Sequence, residues 1–181
     1  MTMANNQLSA ADVLRISEKH LPLLVLSDNL WAWYGDVIKK HTKGEYNHAM
    51  WLYRPGILAT QGATYHEADA LDYMDGFRFK LWHNPDWTGI ERYNISKAIE
   101  AKLARRWWRR LYDPLGIVGQ ALRLPWLNNP WRDFCSESAA KMLREVEPKI
   151  ARHPSPADLD RTCKASRRME CYGVYDPNNI G

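Results

Sequence analysis

YNHAMWLYRPGILATQGA, residues 46–63, decides how this chain is read. From Asn47 to Tyr53 the residues alternate and are rich in rings, the pattern of a strand with two different faces. Arg54-Pro55-Gly56 supplies a tight turn, and ILATQGATY (57–65) then reads as a second strand folded back on the first. Alternation puts His48 on one face with Met50 and Leu52. A histidine aimed into an apolar face needs partners for its ring nitrogens, because a buried unpaired polar atom is costly. His48 is therefore either a satisfied core residue or a base held ready for chemistry.

Working outward, LPLLVLSDN (21–29) is an apolar run closed by turn residues, a further strand. Before it, SAADVLRISEKH reads as a short helix capped by Ser9, with Val13, Leu14 and Ile16 apolar. Between those strands, LWAWYGDVIKKHTKG reads as a helix stopped by Gly44. GFRFKLWH (76–83) alternates again and gives another strand. The acidic EADALDYMD (67–75) reads as a solvated loop, or as a rim that selects a cationic group. From residue 94 the period changes to that of a helix, NISKAIEAKLARRWWRRLY, capped by Asn94 or Ser96 and broken at DPLG. In it Arg105, Arg106, Arg109 and Arg110 form a basic side, and Trp107 packs inward with Leu103 and Leu111. The other reading of RRWWRR is a surface for phosphates, stacked bases or anionic lipid. PWLNNPWRDF is a Pro-stiffened loop, and FCSESAAKML opens a last helix that ends before Pro148. The tail after it is turn-rich, with a late strand at MECYGVY. Strands first and helices second make an α+β pattern with a small antiparallel sheet.

The 181 residues suit one domain, and 45% hydrophobic with 25% charged residues suits a soluble globular one. Nine Trp and nine Tyr favour a firm core or a ring-lined groove. The net charge of +4 mildly favours acidic partners but is too small an excess to name one. The N-terminus lacks the basic start of a secretory signal, and no apolar stretch is long enough to span a membrane, so a cytoplasmic location is expected. Three cysteines cannot all pair, which fits a reduced compartment. His153, Cys163 and Cys171 do not match a zinc spacing, and there is no Gly-rich phosphate loop, so neither metal nor cofactor is expected.

Cys135 stands where the first turn of FCSESAAKML begins, with Ala139, Met142 and Leu143 as the buried stripe. Free N–H groups at a helix start favour a thiolate and are expected to lower its pKa. The structural alternative is a small apolar filler, since free cysteine is among the most buried residue types. His48 is the best base of six histidines: His20, His41, His83 and His153 read as solvated, and His66 lies in an expected loop.

The ordered set EYNHAMWLY, ILATQGA, YDPLGI and FCSESAAKML resembles the permuted papain-like hydrolases related to the NlpC cell-wall peptidases. In that group the histidine strand precedes the cysteine helix. SPADL, after the cysteine helix, is also similar to the group, and the resemblance covers roughly residues 21–160. It implies a single permuted papain-like domain over residues 1–181 with its C-terminal tail wrapping the surface. It also implies Cys135 as nucleophile, His48 as general base, Gln61 as the side chain that orients the imidazole and Tyr112 as an oxyanion donor. Many relatives carry an acid or a second histidine at the place of Gln61, so Glu67 or His66 serves instead if the strand register differs. The implied activity is cleavage of an amide in a peptide or cell-wall stem peptide. Lipid-directed acyl amides or esters are the second substrate class. Nucleic acid is not expected as a partner on this reading. The missing signal would suit a bacteriophage enzyme or an intracellular target. The alternative to an enzyme is a non-catalytic module that binds through the Arg/Trp helix.

Overall fold

The structure is a computed structural model and describes residues 6–29, 39–40, 44–110, 135–147 and 149–179. Seven strands make one sheet: β1 Gln7–Leu8, β2 Leu23–Asn29, β3 His48–Arg54, β4 Ile57–Gln61, β5 Tyr65–Asp69, β6 Phe77–His83 and β7 Glu170–Tyr175. Their order across it is β1-β7-β6-β2-β3-β4-β5. Only β1 and β7 pair in parallel; the other neighbours are antiparallel. The helices are α1 Ala10–Leu14, α2 Leu71–Met74, α3 Gly89–Leu103, α4 Cys135–Leu143 and α5 Pro156–Ala165. The fold is α+β with a mixed sheet, and the sheet is not confined to the first half of the chain.

Alternation along the strands builds two cores. Leu24, Leu26, Ala49, Trp51, Ala59 and Trp82 face α3, α4 and α5. Leu23, Val25, Met50, Leu52, Leu58 and Leu81 face α1 and α2 on the other side. Both faces of β2 and β3 are covered, so both parities are apolar there. The β3–β4 turn rests on Gly56, whose φ of 70° is a left-handed value that favours glycine. Gly173 of β7 is required for a different reason: a Cβ there would lie 2.7 Å from the Leu8 side chain and 2.8 Å from the Asn6 carbonyl, where β1 is seated.

Several expectations change. ILATQGATY is two strands, β4 and β5, divided at Gly62, where the chain turns back (Gly62 N–H to Thr64 carbonyl, 3.1 Å). EADALDYMD is the end of β5 and α2, not a loop. The turn-rich tail expected to wrap the surface instead holds α5, while the late strand expected at MECYGVY is β7, which lies between β1 and β6 within the sheet. α3 starts about two turns earlier than expected: Thr88 caps it and Glu91 closes a capping box. α3 also stops early, at Leu103, and Trp107–Arg109 form a separate 3-10 turn. Its buried positions Ile95, Ile99 and Lys102 explain the stop. The next inward position at that spacing is Arg106, so a longer helix would drive a guanidinium into the core. Trp107 is consequently 61% exposed rather than packed against Leu103. The helix expected over residues 30–44 and the segments IVGQALRL and PWLNNPWRDF lie largely outside the described residues.

Candidate active site

The first turn of α4 is buried although its residues are Cys135, Ser136, Glu137 and Ser138. Each of the three polar residues is engaged. Ser136 Oγ donates to the Pro154 carbonyl at 2.7 Å, and the Glu137 carboxylate meets His153 Nδ1 at 2.6 Å. Lys102 of α3 donates from Nζ to Ser138 Oγ at 2.7 Å. Behind this turn Ala139, Ala140, Met142 and Leu143 pack into the core with Ala49 and Trp51 of β3. The helix start is thus clamped from the segment before α5, from α3 and from the sheet. That fixes the Cys135 thiol against β3, where the backbone N–H groups of Ala49, Ser136 and Cys135 itself favour its thiolate.

His48 precedes Ala49, so their side chains lie on opposite faces of β3: Ala49 faces α4, and His48 lies with Met50 and Leu52 on the far face, so the structure does not bring the His48 ring and the Cys135 thiol together. The His48 imidazole is held through Nε2 by the Thr60 hydroxyl at 2.7 Å. The sequence reading gave that role to Gln61, and the structure corrects it. Gln61 donates from Nε2 to the Arg110 carbonyl at 2.8 Å, on the other side of the sheet. The cause is an irregularity in the hairpin. Arg54 pairs with Ile57, but Leu52 pairs with Leu58, so the register shifts by one between them. A one-residue slip exchanges the faces of every following residue. Even-numbered residues of β4 therefore share the face of His48. The shift also sorts the two alternatives. His66, opposite Thr60 on β5, lies on that face, and its charge acts on the His48 ring. Glu67 lies on the other face, bonded to the Tyr53 hydroxyl and facing Arg54. Tyr112, the expected oxyanion donor, lies outside the described residues.

The electrostatics differ from expectation. Burial, with a smaller contribution from His66, pushes the His48 pKa down to about 4. Burial pushes the Cys135 thiol up to about 11, against the lowering effects of the three N–H donors and of the Lys102 charge. The N–H groups at the helix start do act as anticipated, but desolvation of the anion outweighs them. The resting state is a neutral thiol and a neutral imidazole, not an ion pair. Lys102 is a contributor the sequence reading missed. It is buried, its ammonium lies 4.8 Å from the centre of the Tyr65 ring, and its charge favours the Cys135 thiolate. Its place on the inward spacing of α3 was the available signal.

Iodoacetamide labelling of the native protein is therefore expected to begin at Cys171. All three thiols are raised by burial, but Cys171 is half-buried whereas Cys135 and Cys163 are buried. Peptide mapping after a timed exposure at neutral pH reads the order, and Cys135 reacting first would contradict it.

No family model matches this chain, and no curated protein is significantly similar to it. Among the described residues, no group of three or more His, Cys, Asp or Glu side chains could hold a metal ion. No helix of the described residues is long and apolar enough to cross a membrane.

Proposed function

We propose that this protein is a cysteine hydrolase of the permuted papain-like type, which cleaves an amide bond in a peptide or cell-wall stem peptide. One observation carries the reading. The thiol stands at the start of a clamped helix whose N–H groups favour its thiolate, and the histidine of the neighbouring strand position, its Nε2 fixed by Thr60, must bring its ring round from the opposite face of β3 to meet it. With the Thr60 oxygen accepting from Nε2–H, the tautomer left on His48 has its lone pair at Nδ1, the atom available as base.

The chemistry proceeds through an acyl-enzyme. As Cys135 Sγ bonds to the substrate carbonyl carbon, its proton passes to His48 Nδ1 once that ring has come round the edge of β3 from the opposite face. The negative charge on the carbonyl oxygen is met by N–H groups at the start of α4. His48 returns the proton to the leaving amine, the C–N bond breaks, and a thioester remains. Water, deprotonated by His48, then attacks the thioester, releasing the acid and restoring the thiol. Burial disfavours the charged form of both groups, so a preformed ion pair lies well above the neutral pair. Proton transfer therefore accompanies carbon–sulfur bond formation instead of preceding it.

The test is interception of the thioester. The protein is mixed with peptide amides, muropeptides and N-acyl lipids, quenched in acid and weighed intact. The expected result is an acyl adduct on Cys135, absent in Cys135→Ala, with turnover of the amide reduced on the order of tenfold in Thr60→Val. Hydrolysis that persists in Cys135→Ala would refute the assignment. An adduct formed only from N-acyl lipids would move the substrate to the lipid class.

A further inference from the structure

We propose that the outer face of α3 and the Trp107–Arg109 turn form a docking surface for an anionic lipid bilayer. The inference goes beyond the hydrolase reading and does not depend on it. α3 is apolar on both sides. Ile95 and Ile99 point into the core, yet Ile90 is 74% and Tyr93 58% exposed on the opposite side. With Lys97, Ala101 and Ala104, which are also exposed, they follow one another at intervals of three or four residues, a single outward stripe. The stripe leads into Trp107 and Trp108, which are 61% and 45% exposed and meet edge to face at 6.0 Å. The surface has no partner among the described residues, and a run of this kind is more apolar than water-facing helices need to be.

The charge around it selects the occupant. Arg105 and Arg106 are exposed beside the two rings, and the Arg106 guanidinium lies 5.1 Å from the centre of the Trp108 ring. Indole rings with apolar bodies and N–H edges sit well at the boundary of headgroups and acyl chains, and neighbouring arginines meet anionic headgroups. A single nucleic-acid strand fits less well. It would stack on parallel ring faces, but the two indoles stand at 85° to each other, and Ile90 offers it nothing.

Vesicle sedimentation with the full chain tests this, using phosphatidylcholine vesicles with and without phosphatidylglycerol. Binding is expected to the anionic vesicles, weakening as salt is raised. Trp107→Ala with Trp108→Ala should lower partitioning on the order of tenfold and remove quenching by brominated lipid. Arg105→Glu with Arg106→Glu should remove the preference for phosphatidylglycerol. All four side chains are exposed, so circular dichroism should be unchanged in both variants. The proposal is overturned if anionic vesicles are not bound, or are bound equally well by the double tryptophan variant. Single-stranded oligonucleotide binding that depends on these residues, without vesicle binding, would overturn it in favour of nucleic acid.

Discussion

Lowering the pH from neutrality to about 4 is expected to remove a substantial part, on the order of a few kcal/mol, of the stability of this domain. Two histidines carry the effect. Burial, then the charge of His66, holds the His48 pKa down at about 4. Burial, then the charges of His20 and Arg92, does the same to His83. His83 Nδ1 is buried without a hydrogen-bond partner among the described residues, so its ring has little to gain from a second proton. In the unfolded chain both rings titrate near their ordinary value of about 6.5. Between that value and about 4 the unfolded state binds protons that the folded state refuses, so stability rises with pH across the window and falls as acid is added. Each depressed ring contributes in the same direction, and the part-buried His83 is the more screened of the two. The capping carboxylates Asp12, Glu91 and Asp158 are also held low, but their contribution is lost only below the ordinary carboxylate range. Urea unfolding at a series of pH values reads the slope. His83→Gln should remove part of it, and a midpoint that does not move between neutral pH and pH 5 would contradict the account.

The parts of the fold legible in the sequence were those where one local rule acts alone. β2, β3 and β6 announced themselves by apolar runs or alternation bounded by turn residues. The start of α4 was legible because Ala139, Met142 and Leu143 mark its buried stripe. β7 was harder, because nothing in MECYGVY tells a strand at a chain's end from one seated between β1 and β6. The partner of His48 was missed because parity across a hairpin depends on an irregularity at Tyr53 that leaves no mark in the sequence. The 88–110 region failed in the opposite way. TGIE was a readable capping box, and the inward spacing of Ile95, Ile99, Lys102 and Arg106 foretold the end of the helix. The thiol's pKa could not have been read from its position on the helix, because it is set by how completely α4 is covered, a property of contacts from distant residues.

Asp160→Ala is expected to cost about 3–5 kcal/mol, the largest effect of any single substitution outside the apolar core. Asp160 lies on α5 and is buried. Its Oδ1 accepts from Lys80 Nζ at 3.2 Å and from Trp82 Nε1 at 3.2 Å, both on β6, and its Oδ2 meets Lys164 Nζ at 2.6 Å. One carboxylate thus fastens the C-terminal helix to the middle of the sheet. The two lysines are not equivalent. Lys164 is half exposed and regains water when the carboxylate is lost. The Lys80 side chain is 10% exposed and stacks over the Trp82 ring at 4.6 Å, so its ammonium would be left buried without its counter-ion. Removing one member of a buried pair costs more than the pair is worth, because the remaining charge keeps its desolvation penalty. Pairing Asp160→Leu with Lys80→Met should therefore recover most of the loss, which chemical denaturation of the single and double variants would read as a coupling energy. If the double variant were as unstable as the sum of the singles, the ion pair would be irrelevant, and packing of α5 would carry the effect.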